Sequence, residues 1–387
     1  MDFQDSPDDA ALRERAAAFA AEQLAGAAEA LEANSDALPR AFYASLAAAG
    51  WFRYLVPAAY GGAADRVDCM AACLIREEFA RVCSFASAAF AVQGLGAYPL
   101  VAAGTQAQRA RWLPALASGE AVGAFALTER GAGSDIAGVE TRARREGEDY
   151  VLDGAKVFIS NGGVADLYTV FARTIDTRSA RGLSAFLVEA DRPGFSVTRQ
   201  MNVMAFDVLA ELGFENCRIP AANRLGEEGE GFALAMGTLA LYRTTVGAHA
   251  VGLARAGFEA ALAWARVREQ FGRPIGAFQG VGFQLADMAT DIEAARLMVY
   301  RAARAFDDDA PDAARRSSMA KLFATEAASR VIDAAVQIHG GWGVATDLPI
   351  ERLYREIRPL RVYEGTSEIQ RLVIAKAELA REPGDDL

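Results

Sequence analysis

The hydrophobic period of this chain changes twice, and that limits its architecture more than any other feature. Across residues 8–119 alanine is abundant and apolar side chains recur at three-to-four spacing, as at Leu12, Ala16, Phe19 and Leu24; this predicts amphipathic helices. Pro39, Gly50, Pro57 and Gly61-Gly62 punctuate that region. From 121 to 228 the texture turns to short β-rich runs: Gly123 to Leu127, Tyr150 to Leu152, Lys156 to Ile159, Tyr168 to Ala172 and Ala185 to Val188. Asp153-Gly154, lying between two such runs, predicts a hairpin turn. Helical patterns return from 229 onward. The clearest covers 283–306, where Glu293 and Arg296 are spaced for a structural ion pair. The order helical, β, helical predicts an α+β chain with a small β domain between two helical blocks, bounded at 1–120, 121–228 and 229–387.

Composition excludes several classes of function. The 387 residues are 52% hydrophobic, enough for a sizeable core. With a net charge of −11 and no basic stripe, nucleic acid is not an expected partner. No uninterrupted apolar run approaches the roughly 20 residues that span a bilayer. The acidic start, Met1-Asp2-Phe3-Gln4-Asp5-Ser6-Pro7-Asp8-Asp9, argues against a signal or transit peptide. A cytoplasmic protein without a membrane partner is expected.

Cys69 and Cys73 sit four apart on a predicted helix and read as small buried hydrophobes, because nothing is placed to complete a metal site with them. No metal is expected. The two histidines, His249 and His339, leave little material for a histidine-based centre; His249 reads as a helix residue and His339 as a candidate site-lining group. Gly94-Leu95-Gly96 and Gly131-Ala132-Gly133 lack the third glycine of a dinucleotide-binding turn.

The segment Tyr363-Glu364-Gly365-Thr366-Ser367-Glu368-Ile369-Gln370-Arg371 carries the most chemistry. Thr366 and Ser367 are good N-cap residues ahead of apolar positions at helical spacing. Glu364 therefore falls on a loop just before a helix, where a carboxylate can serve as a general base. Gly365 permits a tight turn and close approach of a ligand.

This nonapeptide resembles the C-terminal signature of the acyl-CoA dehydrogenase family. Three further stretches resemble that family in the same order. They are Phe125-Ala126-Leu127-Thr128-Glu129-Arg130-Gly131-Ala132-Gly133-Ser134-Asp135; Arg266-Val267-Arg268-Glu269-Gln270-Phe271-Gly272-Arg273-Pro274-Ile275 with Phe278-Gln279; and Gln337-Ile338-His339-Gly340-Gly341-Trp342-Gly343. Weaker likeness runs over nearly the whole chain.

The resemblance implies two helical domains, the second a four-helix bundle, around a β-barrel. It implies FAD as cofactor and a homotetramer or homodimer as assembly. The implied reaction is α,β-dehydrogenation of an acyl thioester, with Glu364 taking the α-proton and flavin N5 the β-hydride. The Glu364 N–H would hold the thioester carbonyl, and Arg243 would stand near the carboxylate. Tyr242 occupies the position where some members carry the base instead. Phe125, Leu127, Thr128, Gly133 and Ser134 would face the isoalloxazine and thioester, with Phe158, Ile159 and Ser160 as a second wall. Arg268, Gln270, Phe271 and Gln279 would reach the pyrophosphate and adenosine, joined by Gln337, Gly340, Gly341, Thr366 and Glu368. Ser134, Tyr242, Tyr363 and Gly365 would contact substrate.

The chain departs from the family pattern at several points. Arg130 replaces a usual proline, and Phe158 a frequent tryptophan. Val203, Ala205 and Asp207 replace the glycine, arginine and serine of a G-x-R-x-S arrangement near the pantetheine arm. The leading expectation is an acyl-CoA dehydrogenase that passes electrons to an electron-transferring flavoprotein. An acyl group on a carrier protein, an oxygen-using oxidase and a non-catalytic flavin-binding module are the alternatives.

Overall fold

The computed structural model of the protein describes residues 6–33 and 39–380. Met1–Asp5, part of the acidic N-terminal run, lie outside them. Helix α1 (Pro7–Phe19) opens on a capping box in which Ser6 and Asp9 satisfy each other's backbone N–H groups, with Pro7 at the first helical position. It passes into a π-helical stretch, Ala20–Leu24, that periodicity does not reveal. Helices α2 (Ala27–Ala33), α3 (Arg40–Ala48), α4 (Cys69–Val82), α5 (Ser84–Ala103) and α6 (Gln106–Ser118) follow. Cys69 and Cys73 are buried free thiols on α4.

Contrary to the expectation from hydropathy, α5 is long and apolar enough to cross a membrane by length and composition; 78% of its apolar window is buried inside the protein. Its one strongly polar residue, Gln93, is completely buried. The side-chain amide donates to the carbonyls of Leu116 and Ala121 at 2.9 Å and accepts from Gly123 N at 2.8 Å. A Cβ on Gly96 would lie 2.5 Å from Ala124 N, so α5 lies directly on the backbone that enters the sheet.

The middle of the chain supplies β1 (Gly123–Ala126), β2 (Arg142–Glu146), β3 (Asp149–Ser160), β4 (Leu167–Arg173), β5 (Leu183–Glu189), β6 (Phe195–Met201), β7 (Leu209–Pro220) and β8 (Arg224–Leu225). They form one sheet in the order β6-β7-β3-β2-β4-β5-β8, with β1 running parallel to β4.

The hairpin expected at Asp153-Gly154 does not form. Residues 149–160 are one continuous strand with a bulge between Leu152 and Gly154 against β7. Gly154 takes φ +145°, and a Cβ there would meet Thr141 at 2.7 Å. Asp153 instead accepts from Asn216 N at 2.7 Å on the neighbouring strand. The turn lies six residues earlier, at Gly147-Glu148, where Glu146 pairs with Asp149 and Gly147 has φ +62°.

The C-terminal part holds α7 (Gly231–Val267), a short ribbon of β9 (Glu269–Gln270) and β10 (Arg273–Pro274), then α8 (Gln279–Asp307), α9 (Ala313–His339), α10 (Ile350–Ile357) and α11 (Ser367–Leu379). The three-part architecture of helical, β and helical regions stands. By contacts, two compact units form: Met1–Ala28 with Cys69–Ser87 and Ala240–Leu387, and Glu29–Asp68 with Ala88–Leu239.

In the first unit α4, α7 and α8 meet around Glu77, which is fully buried. Arg255 Nη1 donates to its Oε1 at 2.8 Å, Arg296 Nη2 donates to the same oxygen at 2.9 Å, and Tyr300 donates to Oε2 at 2.6 Å. Gly252 makes the close crossing possible, since a Cβ there would lie 2.3 Å from the Glu77 carbonyl. The predicted Glu293–Arg296 pair is present at 3.3 Å, but Arg296 spends its better hydrogen bonds on Glu77.

Burial pushes the Glu77 carboxyl up, yet Arg296, Arg255 and Tyr300 more than offset this and hold it below the usual carboxylate range. A depressed carboxylate contributes stability above its unfolded pKa and loses it as pH falls through the folded value. Glu77→Gln is therefore expected to cost about 3 kcal/mol at neutral pH, the lower end of the range for a broken buried pair because the arginines are partly solvated. It should also flatten the acid limb of the stability profile. Denaturant melts of both proteins between pH 4 and pH 8, values chosen to span roughly the carboxylate range and neutrality, check this; equal midpoints throughout would contradict it.

Candidate active site

Two successive residues with positive φ, Glu364 at +53° and Gly365 at +91°, make the turn before α11. The first is uncommon for a residue with a side chain and costs of order 1–2 kcal/mol. Surrounding groups enforce it. Lys321 Nζ, from α9, donates to the carbonyls of Tyr363 and Gly365, the latter at 2.5 Å. Arg243 Nε, from α7, donates to the Glu364 carbonyl at 2.9 Å. Gln370 Nε2, one turn into α11, donates to the Gly365 carbonyl at 2.9 Å. A Cβ on Gly365 would lie 2.7 Å from that nitrogen and 3.3 Å from Arg243 Nη2, so glycine fits the turn on both φ and space. Thr366 caps α11 by accepting from Ile369 N at 3.3 Å, as its residue type suggests.

The Glu364 side chain is half-buried, and its Oε2 is shut away from solvent with no hydrogen-bond partner among the described residues. Burial raises its pKa above the ordinary carboxylate value, against opposing pulls from Arg76, Lys321 and Arg243. The amine of Lys321 is pushed down to about 7 by burial, against the attraction of Glu364. Glu368 behaves oppositely. It is exposed, and its own backbone N–H at the helix start and the Thr366 hydroxyl hold it below the usual range. Burial thus governs the first carboxylate and the helix N-terminus the second. Among the described residues the Glu364 N–H makes no hydrogen bond and remains available to an acceptor. Tyr242 is fully buried on α7, while Tyr363 is half-buried.

Sequence reasoning missed Lys321 and Arg76. Lys321 is a lone cation among small and apolar helix residues and Arg76 sits beside Glu77-Glu78 as if for a surface ion pair; only packing shows that both act on Glu364.

In the other unit the run from Phe125 to Ser134 leaves β1 and is held by a buried ion pair. Lys156 Nζ, on β3, donates to Glu129 Oε1 at 2.8 Å and to the Leu127 carbonyl at 3.0 Å. Burial lowers its pKa to about 8 despite the pull of Glu129. Glu129 also accepts from the backbone of Glu140 and Thr141 at 2.7 and 3.0 Å. Thr128 accepts from Val157 N at 2.9 Å, and Arg130 pairs with Glu211 at 2.6 Å. Gly131, Gly133 and Ser134 are exposed, with open space above both glycines. Phe158 is 56% exposed at φ +56°, and Ser160 is half-buried. Ile159 points into the sheet core, and the Phe125 ring packs on Phe171 at 4.8 Å.

The remaining candidates lie in the first unit. Arg268, Gln270, Gly340 and Gly341 line one cavity of about 600 Å³ with Trp264, His339 and Trp342. His339 donates from Nδ1 to the Ala335 carbonyl at 2.7 Å and stacks on Trp264. Phe271 stands 94% exposed at the tip of the β9–β10 turn, with φ +53°. Gln279 and Gln337 are exposed at helix ends and Thr366 and Glu368 start α11; none of these four lines that cavity.

The sequence matches the acyl-CoA dehydrogenase N-terminal domain over residues 6–120, the middle domain over 124–217 and the C-terminal domain over 229–379. The chain is 41% identical to an acyl-CoA dehydrogenase of Bacillus subtilis over 94% of its own length and 96% of that protein's. It resembles butyryl-CoA dehydrogenase of Megasphaera elsdenii with a TM-score of 0.94 at 35% identity, covering 98% of this chain and all of that one. It also resembles the prolyl acyl carrier protein oxidase AnaB, with a TM-score of 0.91 at 31% identity over 98% of this chain and all of that one. The chain belongs to the acyl-CoA dehydrogenase family, whose cofactor is FAD.

The Lys321 clamp can be tested directly. Lys321→Met removes two charge-assisted hydrogen bonds, each worth about 1.5–3 kcal/mol. Amide exchange across residues 361–370 is expected to speed by about tenfold or more, as local opening becomes easier. Hydrogen-exchange mass spectrometry reads this, and unchanged protection would show that the turn holds without the lysine.

Proposed function

We propose that the protein oxidises the Cα–Cβ bond of an acyl-CoA thioester to the trans-2-enoyl thioester, with Glu364 as the base for the α-proton. One observation carries this reading: the carboxylate with raised proton affinity and the unused N–H belong to the same clamped residue. The N–H can hold the thioester carbonyl as charge develops on it, which makes the α-proton acidic enough to remove. The carboxylate, desolvated and without a hydrogen-bond donor on Oε2, is a stronger base than a free glutamate. Arg243 and Lys321 keep both groups in register.

Within one unit the exposed aromatic Phe158 and the open backbone at Gly131 and Gly133 suit a flavin ring; within the other, the cavity of Arg268, Gln270, Gly340 and Gly341 offers an arginine that matches a pyrophosphate. When bound, FAD supplies the acceptor for two electrons and the β-hydrogen. An electron-transferring flavoprotein is the proposed onward acceptor, and a homotetramer the proposed assembly.

Glu364→Gln keeps size and removes the base. It is expected to retain FAD and to slow anaerobic flavin reduction by about 10²–10⁴-fold. In the wild type, reduction should fail as pH drops through the raised pKa of Glu364. Lys321→Met removes a cation that lowers this pKa, so the acid limb should move to higher pH. Stopped-flow reduction across pH decides the assignment; a Gln variant that reduces at the wild-type rate places the base elsewhere.

A second reading concerns the thioester carrier. Val203 and Met204 are exposed, and Asp207, raised to about 6 by burial, accepts from its own neighbour's N–H, Val208, at 2.8 Å. The segment thus offers apolar side chains and a carboxyl where the family pattern has an arginine. Lost contacts to the remote nucleotide reduce the binding energy drawn from it. Acyl-pantetheine or acyl-carrier-protein substrates are accordingly expected to approach the matching acyl-CoA in kcat/KM. A preference for acyl-CoA of orders of magnitude over both would return the substrate to ordinary CoA.

A further inference from the structure

Lys156 is a buried cation that the chemistry above does not use. Its side chain, on β3, has no solvent contact, and its Nζ donates to the Leu127 carbonyl at 3.0 Å and to Glu129 Oε1 at 2.8 Å. Both partners belong to the run that leaves β1. The next residue ties the same two stretches through the backbone, Val157 N donating to the Thr128 carbonyl at 2.9 Å. The Glu129 carbonyl accepts from Ala132 N at 3.1 Å. Three successive carbonyls of the run, 127 to 129, are therefore taken. The Thr128 N–H makes no hydrogen bond among the described residues and remains available to an acceptor.

The same lysine begins a break in β3. Against β7, Lys156 pairs with Leu212 and Ile159 with Ala210, so β3 carries one extra residue between them. Such a bulge re-aims side chains. Here Phe158 takes φ +56° and stands 56% exposed, while Lys156 and Val157 are buried. One buried ammonium thus anchors both the run with its open glycines and the strand that bears the exposed aromatic. The run also brings a carboxylate. Burial would raise Glu129, but Lys156 and the N–H groups of Thr141 and Glu140 hold it below the usual range, so it is charged at neutral pH. Lys156 supplies the opposite charge where an unpaired one would be costly.

We infer that Lys156 is a positioning residue for the flavin ring: it draws the 127–129 run and the 157–158 bulge onto one buried atom and neutralises the Glu129 carboxylate, so that the ring rests against an uncharged floor with the Thr128 N–H free for its acceptor atoms. Hydrogen bonds and charge near the ring nitrogens tune a flavin's electronics. The inference rests on the placement of the ring by Phe158, Gly131 and Gly133 and adds the residue that sets its potential.

The test is an anaerobic spectroscopic redox titration of the FAD-loaded protein against reference dyes, with no thioester present. Lys156→Met leaves Glu129 uncompensated. Its reduced flavin is expected to bind about tenfold less tightly relative to the oxidised form, a fall of roughly 30 mV in the two-electron midpoint potential. Removing the carboxylate as well, by combining Lys156→Met with Glu129→Gln, should return the potential to the wild-type value. A lysine that serves packing alone gives no such recovery, because the double variant keeps still fewer of the native hydrogen bonds. Melting temperature and flavin absorbance verify that the variants are folded. If the Met variant does not fold, Lys156→Gln, which can still donate to the Leu127 carbonyl, makes the same comparison. A wild-type potential in the folded single variant, or a fall that the double variant does not recover, overturns the inference and leaves the dehydrogenase reading intact. A wild type that takes up no FAD would instead remove the placement on which it rests.

Discussion

Glu77 is the interaction on which the helical unit depends. A carboxylate with no solvent contact draws Arg255 of α7 and Arg296 and Tyr300 of α8 onto α4. None of these charges would be tolerable there alone. Gly252 lets α7 come close enough to touch the Glu77 carbonyl. Once that crossing is set, the preceding residue on α4, Arg76, does not share the carboxylate. Arg76 is carried to another face of the helix, among hydroxyls and a neutral imidazole. The same crossing that stabilises the bundle therefore buries a second cation whose charge acts on Glu364.

The turn at 363–365 shows how a strained backbone can be stored next to a reactive group. Its carbonyls are each taken by a donor from a different helix: Lys321 from α9, Arg243 from α7 and Gln370 from α11. Those donors are mostly cations, so they do two things at once. Their hydrogen bonds hold Glu364 at positive φ, and their charge limits how far burial can raise its pKa. The carboxylate is thereby a better base than one in water, with its rise restrained by those cations.

Much of this was legible without coordinates. The Thr366 cap, the loop position of Glu364, the burial of Cys69 and Cys73 and the helical, β, helical order all follow from local chemistry and period. Four strands of the sheet, β2, β6, β7 and β8, were not read. Nor was the continuity of β3, because Asp153-Gly154 has the composition of a turn and only the clash at Thr141 shows that Gly154 serves a bulge. The apolar character of α5 was also passed over; its small and aromatic residues are broken by Gln93, whose partners lie 23 to 30 positions away.

The sequence by itself determined which residues can carry the chemistry: a carboxylate beside a glycine and a cap, glycine-rich turns, and an arginine suited to pyrophosphate. Those are properties of side chains and of short spans, and they survive without a fold. Tertiary structure alone decided the electrostatics. Whether burial or the helix terminus sets the pKa of Glu364, and which cations approach it, depend on residues up to roughly three hundred positions apart, because charge interactions inside a protein follow distance and dielectric, not sequence.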